Sequence, residues 1–279
     1  MKLKIFAFII FIFIIFMLLY ESNKFYNIKN LKEYNKELQN VERSFCKKYP
    51  LNNNFFTITH YPNYYNFFTQ FESYKYYICI SKNKIIGTCC FCKMKNVNIY
   101  YICDLKSLIS GKNLTYYFFK RCILENIIEF KIYGIYGITM QPNLIIDKLV
   151  KKYFFQKYET LNLYEVKYIK LMNNVDIFSE YFNYFTFTYG YKILNIYDNN
   201  NQFIENKKII HITRNKQNKI DEDINLTDLI NSKIMFCVPE KHKFNHKLKF
   251  KNITPINKMC IFGLFCNIKS WNFIETHMI

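Results

Sequence analysis

The chain has 279 residues, of which 51% are hydrophobic and 20% are aromatic, and this composition excludes a generally disordered protein. Six glycines and five prolines are too few for a collagen-like or low-complexity chain, and the length allows one large domain or two small ones. The formal net charge of +18 would suit an anionic partner, but the lysines are dispersed, so nucleic acid is not the predicted partner.

The chain opens with an apolar segment. Residues 5–20 contain no charged side chain, and a run of about 17 residues is the shortest that usually crosses a bilayer. Bulky residues follow where a signal peptide would have small ones, so residues 1–22 are predicted to be an uncleaved, single-pass membrane anchor. The flanking lysines favour a folded part that faces the cytoplasm. Residues 23–52 are polar and are predicted to be a tether.

The elements predicted over residues 53–170 alternate between strands and helices. Strands are predicted at Phe55–His60, Lys75–Ser81, Lys84–Lys93, Asn98–Lys106, Ile132–Thr139 and Glu159–Tyr168. Helices are predicted at Asn63–Glu72, Gly111–Ile128 and Leu144–Phe154. This β-α-β-β-β-α-β-α-β order is typical of a mixed α+β sheet with crossover connections in its second half.

Residues 171–279 are less regular and are predicted to be an α/β extension or a half-domain. A short helix is predicted at Leu226–Ser232. Strands are predicted at Tyr191–Tyr197, Lys208–Thr213, Lys233–Val238, Lys247–Phe250 and Met259–Ile268. The region could complete the first sheet with a seventh strand or close over a substrate, and the pattern leaves both open.

One stretch, YYICDLKSLISGKNLTYYFF at residues 100–119, combines a strand, a turn and the start of a helix. Free backbone N–H groups and the helix dipole make such a corner a potential anion site, and Lys106 and Lys112 add positive charge. The alternative is a plain connection in which Gly111 makes the turn. Asp104 would then only cap nearby backbone N–H groups at the strand end.

These residues resemble the GCN5-related N-acetyltransferase (GNAT) superfamily, with this chain as a divergent member. Asp104-Leu105 matches the acidic-Leu pair that ends the family's fourth strand, and Ser110–Thr115 occupies the place of the loop that binds the acyl-CoA pyrophosphate. Asn143 matches the asparagine of the family's Asn-x-x-Ala-x-x-x-Tyr pattern. The resemblance implies a GNAT-like mixed sheet over residues 53–170, followed by the additional region 171–279.

The resemblance also implies an N-acyltransferase that moves an acyl group, in the first instance acetyl, from acyl-CoA to an amine that the sequence does not identify. With the predicted anchor, this enzyme would be membrane-tethered. Asp104 would accept the proton of the amine, and Tyr153 would protonate the departing thiol in place of the family's tyrosine. The residues implied in binding acetyl-CoA or another acyl-CoA are Cys103, Leu105, Ser110, Gly111, Lys112, Asn113, Leu114, Thr115 and Asn143.

Two alternatives remain open. Ser110 stands where the family has Arg or Gln, and Val150 stands where it has Tyr, which is typical of a GNAT-like scaffold that has lost catalysis and serves as a binding or structural protein. The charge alone would also suit a basic protein that binds a membrane surface or nucleic acid.

The segment Cys89-Cys90-Phe91-Cys92 contains a C-x-x-C spacing. On a strand, Cys89 and Cys92 face opposite sides, which is poor geometry for one metal ion or a redox pair. We therefore expect these cysteines to pack in the core, and no metal site is predicted.

Overall fold

A computed structural model describes residues 24–45, 48–51, 54–60, 62–95, 97–109, 114–140, 156–214, 219–220, 224–268, 271 and 274. Within them, the strands are β1 (Lys24–Ile28), β2 (Tyr49–Leu51), β3 (Asn54–His60), β4 (Ser73–Ser81), β5 (Lys84–Lys93), β6 (Tyr100–Ser107), β7 (Ile135–Met140), β8 (Gln156–Lys167), β9 (Phe185–Tyr197), β10 (Phe203–Arg214), β11 (Lys219–Ile220), β12 (Lys233–Pro239) and β13 (Asn257–Leu264). The α-helices are α1 (Asn35–Phe45), α2 (Leu114–Glu125), α3 (Ile127–Tyr133), α4 (Tyr168–Met172), α5 (Val175–Phe182), α6 (Leu226–Asn231) and α7 (Phe244–Phe250). Two 3-10 helices cover Leu31–Tyr34 and Tyr64–Gln70.

The described strands form one mixed sheet in the order β1-β4-β5-β6-β7-β13-β8-β12-β10-β9-β3-β2, with β11 beside β9. Neighbouring strands along this order are antiparallel except for two parallel pairs, β6 with β7 and β10 with β12. The mixed α+β sheet predicted from the sequence is therefore confirmed, with more strands than the GNAT pattern requires.

The sheet order is symmetric about its central pair, β13 and β8. On one side of this pair lie β7, its parallel partner β6 and then β5; on the other side lie β12, its parallel partner β10 and then β9. Each half of the chain thus builds a hairpin, a parallel pair and a final strand, and the final strand joins the parallel pair of the other half. Residues 171–279 contribute both a second half of the sheet and the strand β13 beside β7.

Both faces of the first-half strands are buried, which explains why they are apolar along their whole length. Cys90, Cys92 and Tyr101 pack on the face covered by α1 and the 3-10 helix Tyr64–Gln70. Cys89 and Phe91 pack on the other face, with Phe118 of α2 and Phe130 of α3. The prediction that Cys89 and Cys92 face opposite sides in the core is confirmed.

The N-terminal segment of the described chain corrects two expectations. Residues 24–45 do not form a tether: β1 pairs with β4, and α1 buries Leu38 and Val41 against the sheet. The predicted first GNAT strand, Phe55–His60, does not lie beside the β4–β6 meander, because β3 pairs with β2 and β9 at the far end of the sheet. The place next to β4 belongs to β1.

Three local predictions are also corrected. The predicted strand Lys247–Phe250 lies within the helix α7, which buries Phe244 and Leu248 one turn apart. The strand predicted from Ile132 begins at Ile135, because α3 continues to Tyr133 and ends at Gly134, whose φ is +78°. The predicted helix Asn63–Glu72 is a 3-10 helix that covers Tyr64–Gln70.

The predicted helix Leu144–Phe154 and the predicted anchor, residues 1–22, lie outside the described residues. None of the described helices has the length and apolar character needed to span a membrane.

Candidate active site

The parallel strands β6 and β7 are paired over only three positions, from Tyr100 opposite Ile135 to Ile102 opposite Gly137. Beyond that point β7 remains paired with β13, and β6 remains paired with β5. Within the described part of the chain, the edge of β6 that faces β7 therefore has no strand partner after Ile102. Backbone groups on such an edge are free to bind an extended amide-bearing ligand.

Asp104 lies in a β-bulge at this opening. The β5–β6 register shifts between Thr88 and Cys90, so that β6 has one extra residue there. Asp104 has φ of +53°, a left-handed conformation that aspartate tolerates better than most residues, and its carbonyl accepts a 2.7 Å hydrogen bond from Thr88 Oγ1. The bulge turns the Asp104 side chain into the protein.

The Asp104 carboxylate is 2% exposed and lies within a buried polar network. It accepts hydrogen bonds from the hydroxyls of Tyr64 and Tyr76, and it forms an ion pair with Lys106. Tyr64 comes from the 3-10 helix Tyr64–Gln70 and Tyr76 from β4, so three separate elements hold the carboxylate. Several donors on one carboxylate fix its orientation and satisfy its burial.

Lys106 connects Asp104 to a second acidic residue. Its ammonium Nζ lies 2.9 Å from Tyr64 Oη and 3.8 Å from Oε1 of Glu42 on α1. Burial lowers the pKa of Lys106 to about 8, and the nearby Glu42 carboxylate limits the fall. The Lys106 ammonium is therefore shared between two carboxylates.

Glu42 and His60 form the far end of the network. Glu42 Oε1 lies 2.5 Å from His60 Nδ1, and Glu42 Oε2 accepts a 2.8 Å hydrogen bond from the His60 backbone N–H. Burial lowers the pKa of His60 to about 4, although Glu42 opposes this shift. Burial tends to raise the pKa of Glu42, but His60 and Lys106 outweigh it and lower that pKa to about 2.

At neutral pH the Glu42 carboxylate is therefore ionised and the His60 ring is neutral. Nδ1 of His60 donates to Glu42, which leaves Nε2 as an acceptor. Nε2 is buried and has no hydrogen-bond partner among the residues that the structure describes. The rings of Tyr64 and Phe67 lie 4.6 and 5.2 Å from the imidazole ring, centroid to centroid.

Lys192 brings the second half of the sheet to the network. It lies on β9, and its ammonium lies 4.2 Å from the centroid of the Phe67 ring. Burial lowers the pKa of Lys192, while Cys103 and Glu42 partly offset the shift. The network thus joins side chains from both halves of the chain.

The structure describes some of the predicted site residues. Cys103 and Asp104 lie at the opening between β6 and β7, and Leu105 packs with the cluster of Phe118 and Phe130 on the other face. Leu114 and Thr115 begin α2. Ser110, Gly111, Lys112, Asn113, Asn143 and Tyr153 lie outside the described residues, so their roles stay predictions.

Reasoning from sequence missed most of the network. Lys106 could have been found, since a lysine two residues after an aspartate on a buried strand indicates a charge pair. Local sequence does not indicate the other contributors, because they come from segments far apart in the chain. These residues are Glu42, His60, Tyr64, Tyr76 and Lys192.

No protein-family model matches this chain, and no curated protein matches it. Solved structures do. A tandem GNAT protein from the clavulanic acid biosynthesis pathway is 5% identical, covers 87% of this chain and 98% of its own length, and gives a TM-score of 0.49. The ribosomal-protein-S18-alanine N-acetyltransferase of Escherichia coli is 11% identical over 50% of this chain and 81% of its own, with a TM-score of 0.33.

A third similar structure is a candidate streptothricin acetyltransferase from Bacillus anthracis str. Ames, in complex with acetyl coenzyme A. It is 16% identical, covers 50% of this chain and 87% of its own, and gives a TM-score of 0.33. Every one of these identities is below 25% and every TM-score is below 0.5. The function proposed below therefore rests on the geometry of this chain.

Proposed function

We propose that this chain is a divergent GNAT-fold protein and a membrane-tethered N-acyltransferase that uses acyl-CoA. The observation that carries the proposal is the opening between β6 and β7 after Ile102, with the bulge of Asp104 beside it and the helix α2 after it. This geometry could bind an extended thioester ligand along the free edge of β6. The anionic end of the ligand would then lie at the start of α2. Residues 1–22 would tether the enzyme.

The reaction needs an unprotonated amine, a polarised thioester carbonyl and an acid for the thiol that leaves. The amine nitrogen forms a bond to the carbonyl carbon, the carbon–sulfur bond breaks, and the thiolate takes up a proton. Backbone N–H groups on the free edge of β6 would polarise the carbonyl and position the acyl group. Residues 110–115 would bind the pyrophosphate of coenzyme A, and Tyr153 would protonate the thiolate.

Asp104 would receive the proton of the amine through a hydroxyl that it already binds. The Tyr64 hydroxyl donates a hydrogen bond to the Asp104 carboxylate. Tyr64 can therefore give its hydroxyl proton to Asp104 while the Tyr64 oxygen accepts the proton that the amine loses. Lys106 next to Asp104 keeps the carboxylate available as an acceptor before the reaction.

One observation favours the alternative of a GNAT-like scaffold without catalysis. Tyr64 and Tyr76 are fully buried, and the Asp104 side chain is 2% exposed. A site closed in this way would have to open before an amine could reach it. Binding and turnover therefore need separate measurements.

The first experiment measures the thermal stability of the full-length protein in detergent micelles with acetyl-CoA and with longer acyl-CoAs. A ligand that binds only the folded state at about 100 times its Kd stabilises it by about 2.7 kcal/mol. Gly111→Glu is expected to abolish the shift by placing a carboxylate in the loop. Asn199→Glu, which adds the same charge in an exposed turn, should retain it. No shift with any acyl-CoA in the wild-type protein would contradict the proposal.

The second experiment compares binding with acyl transfer in Asp104→Asn. Asparagine tolerates the left-handed backbone at this position, so the bulge should persist. We expect the variant to keep the acyl-CoA shift and to transfer acetyl to a panel of amines about 100-fold more slowly. Unchanged transfer would remove Asp104 from the reaction, and acyl-CoA binding without transfer in the wild-type protein would favour the scaffold.

A further inference from the structure

Three cysteine thiols meet on the buried face of β5 and β6. Cys90 and Cys92 alternate along β5, and Cys103 lies directly opposite Cys90 on β6. The Cys90 and Cys92 sulfurs are 3.5 Å apart, and the Cys92 and Cys103 sulfurs are 3.6 Å apart. All three sulfur atoms lie within 4.8 Å of one another.

This spacing is close to that of three sulfurs around one metal ion. A metal–thiolate bond of about 2.3 Å in a planar trigonal arrangement places the sulfurs about 4.0 Å apart. The Cys90–Cys92 and Cys92–Cys103 sulfur pairs need to separate by only about 0.4–0.5 Å from their distances here. Adjacent strands hold them in this arrangement through the backbone, so little order has to be created on binding.

We propose that Cys90, Cys92 and Cys103 form a trigonal binding site for a soft cation, Cu(I). The group contains thiols and, among the described residues, no histidine nitrogen or carboxylate completes it. Thiolates select Cu(I), zinc and iron–sulfur clusters, and structural zinc sites almost always have four ligands, so three thiolates in an apolar setting favour Cu(I). Binding replaces three S–H protons, which leave to solvent, with three Cu–S bonds.

Two buried lysines make the charge of such a complex tolerable. Three thiolates and one Cu(I) ion carry a net charge of −2, which is costly to bury without nearby cations. Lys106 and Lys192 both lie close enough to Cys103 to act on it electrostatically, and Lys192 acts on Cys92 as well. These two ammonium groups lower the cost of burying the complex, and Lys106 also pairs with Asp104 and Glu42.

Cys103 is the member of the cluster closest to the opening between β6 and β7. Cys103 follows Ile102, the last residue of β6 that is paired with β7. Cys103 is also the most exposed of the three at 8%, whereas Cys90 and Cys92 are fully buried. A cation would enter at the opening between β6 and β7 and would meet Cys103 first. The cluster shares Cys103 and this opening with the proposed acyl-CoA site, but its thiols can bind Cu(I) whether or not acyl transfer occurs.

The chain provides a matched control in Cys89. It lies on the same strand as Cys90 and Cys92, is equally buried and packs on the opposite face near Cys122. Cys89→Ser should perturb core packing about as much as Cys92→Ser does, but it leaves the three-thiol cluster intact. Cys89→Ser therefore separates loss of a metal ligand from general loss of packing.

The test is an anaerobic titration of the full-length protein with Cu(I) in competition with a chromophoric Cu(I) chelator. We expect one tightly bound Cu(I) per chain. The Cu(I) affinity should be unchanged in Cys89→Ser and at least about 100-fold lower in Cys92→Ser, because the loss of outer-shell partners alone lowers metal affinity about 10–100-fold. X-ray absorption should show three sulfur neighbours at about 2.3 Å. Equal affinity in the wild-type protein and in a Cys90, Cys92 and Cys103 triple serine variant would overturn the proposal.

A second measurement on the wild-type protein covers the case in which the serine variants do not fold. Cu(I) should protect Cys90, Cys92 and Cys103 from alkylation in mild denaturant, as read by mass spectrometry, and should leave Cys89 and Cys122 reactive. Uniform protection of all five cysteines, or protection of none, would contradict the assignment.

Discussion

Glu42 and His60 contact each other although 18 residues separate them, and their charge states depend on burial. In the folded protein the pKa of Glu42 is about 2 and that of His60 is about 4, so both lie below their ordinary values of 4.5 and 6.5. The unfolded chain therefore binds more protons than the folded protein wherever the pH lies between these values. Acidification must weaken the fold through this pair.

The His60 contribution has a defined pH window. The contribution of His60 to the free energy of unfolding is complete above pH 6.5 and is lost as the pH falls from 6.5 to about 4. The contribution of Glu42 is lost between pH 4.5 and about 2. A shift of this size corresponds to about 3 kcal/mol for His60. His60→Asn, whose amide can still donate to Glu42, should flatten the loss between pH 6.5 and 4.5.

The measurement is the free energy of unfolding from urea titrations at several pH values. His246→Asn serves as the control because His246 is exposed on α7. A wild-type curve that is flat from pH 6.5 to 4.5, or one with the same slope in His60→Asn, would show that the pair does not set the acid response.

At the scale of elements, β13 must fit between β7 and β8, and small residues allow it to do so. A Cβ atom on Gly137 of β7 would lie 2.5 Å from the ring of Phe262 on β13. A Cβ atom on Gly263 would lie 2.5 Å from the carbonyl oxygen of Ile135. The first obstacle is a side chain, and the second is backbone that cannot move without distorting the pairing of β7 with β13.

Gly263→Ala should therefore destabilise the protein by about 1–3 kcal/mol through overpacking. The control is Gln156→Ala, because Gln156 is the exposed residue that pairs with Gly263 from β8. Urea unfolding of both variants gives the comparison. If Gly263→Ala unfolds at the same urea concentration as Gln156→Ala, the close approach of β7 and β13 does not limit stability.

At the scale of the whole molecule, the two halves of the sheet exchange their final strands. The strand β8 from the first half pairs with β12, and β13 from the second half pairs with β7. Each half forms its own parallel pair, but the antiparallel strand beside that pair comes from the other half. This arrangement predicts that the halves unfold together.

A chain that stops after residue 255 lacks β13 and tests this coupling. Its β7 and β8 edges would be unpaired, so we expect loss of the cooperative thermal transition by circular dichroism and faster amide exchange in β10 and β12 as well as in β5 and β6. A chain that stops at Ile274 keeps β13 and the buried Trp271, and it should melt like the full chain. Retained protection of one half alone would show that the halves are independent.

The sequence by itself determined where most strands lie, because β-prone apolar runs and turn residues are local. The hairpin of β4 and β5, the two buried faces of β5, the strand β6 and the helix α2 follow from such patterns. The alternating lysines at 247–251 predicted a strand, and this prediction was wrong because packing against the second core favours the helix α7. Only the tertiary structure placed β3 beside β9, exchanged β8 and β13, and brought His60 to Glu42 and Asp104 to Tyr64. The physical reason is that a strand's own pattern specifies which side chains are buried, whereas its partner depends on long-range packing that no local period records.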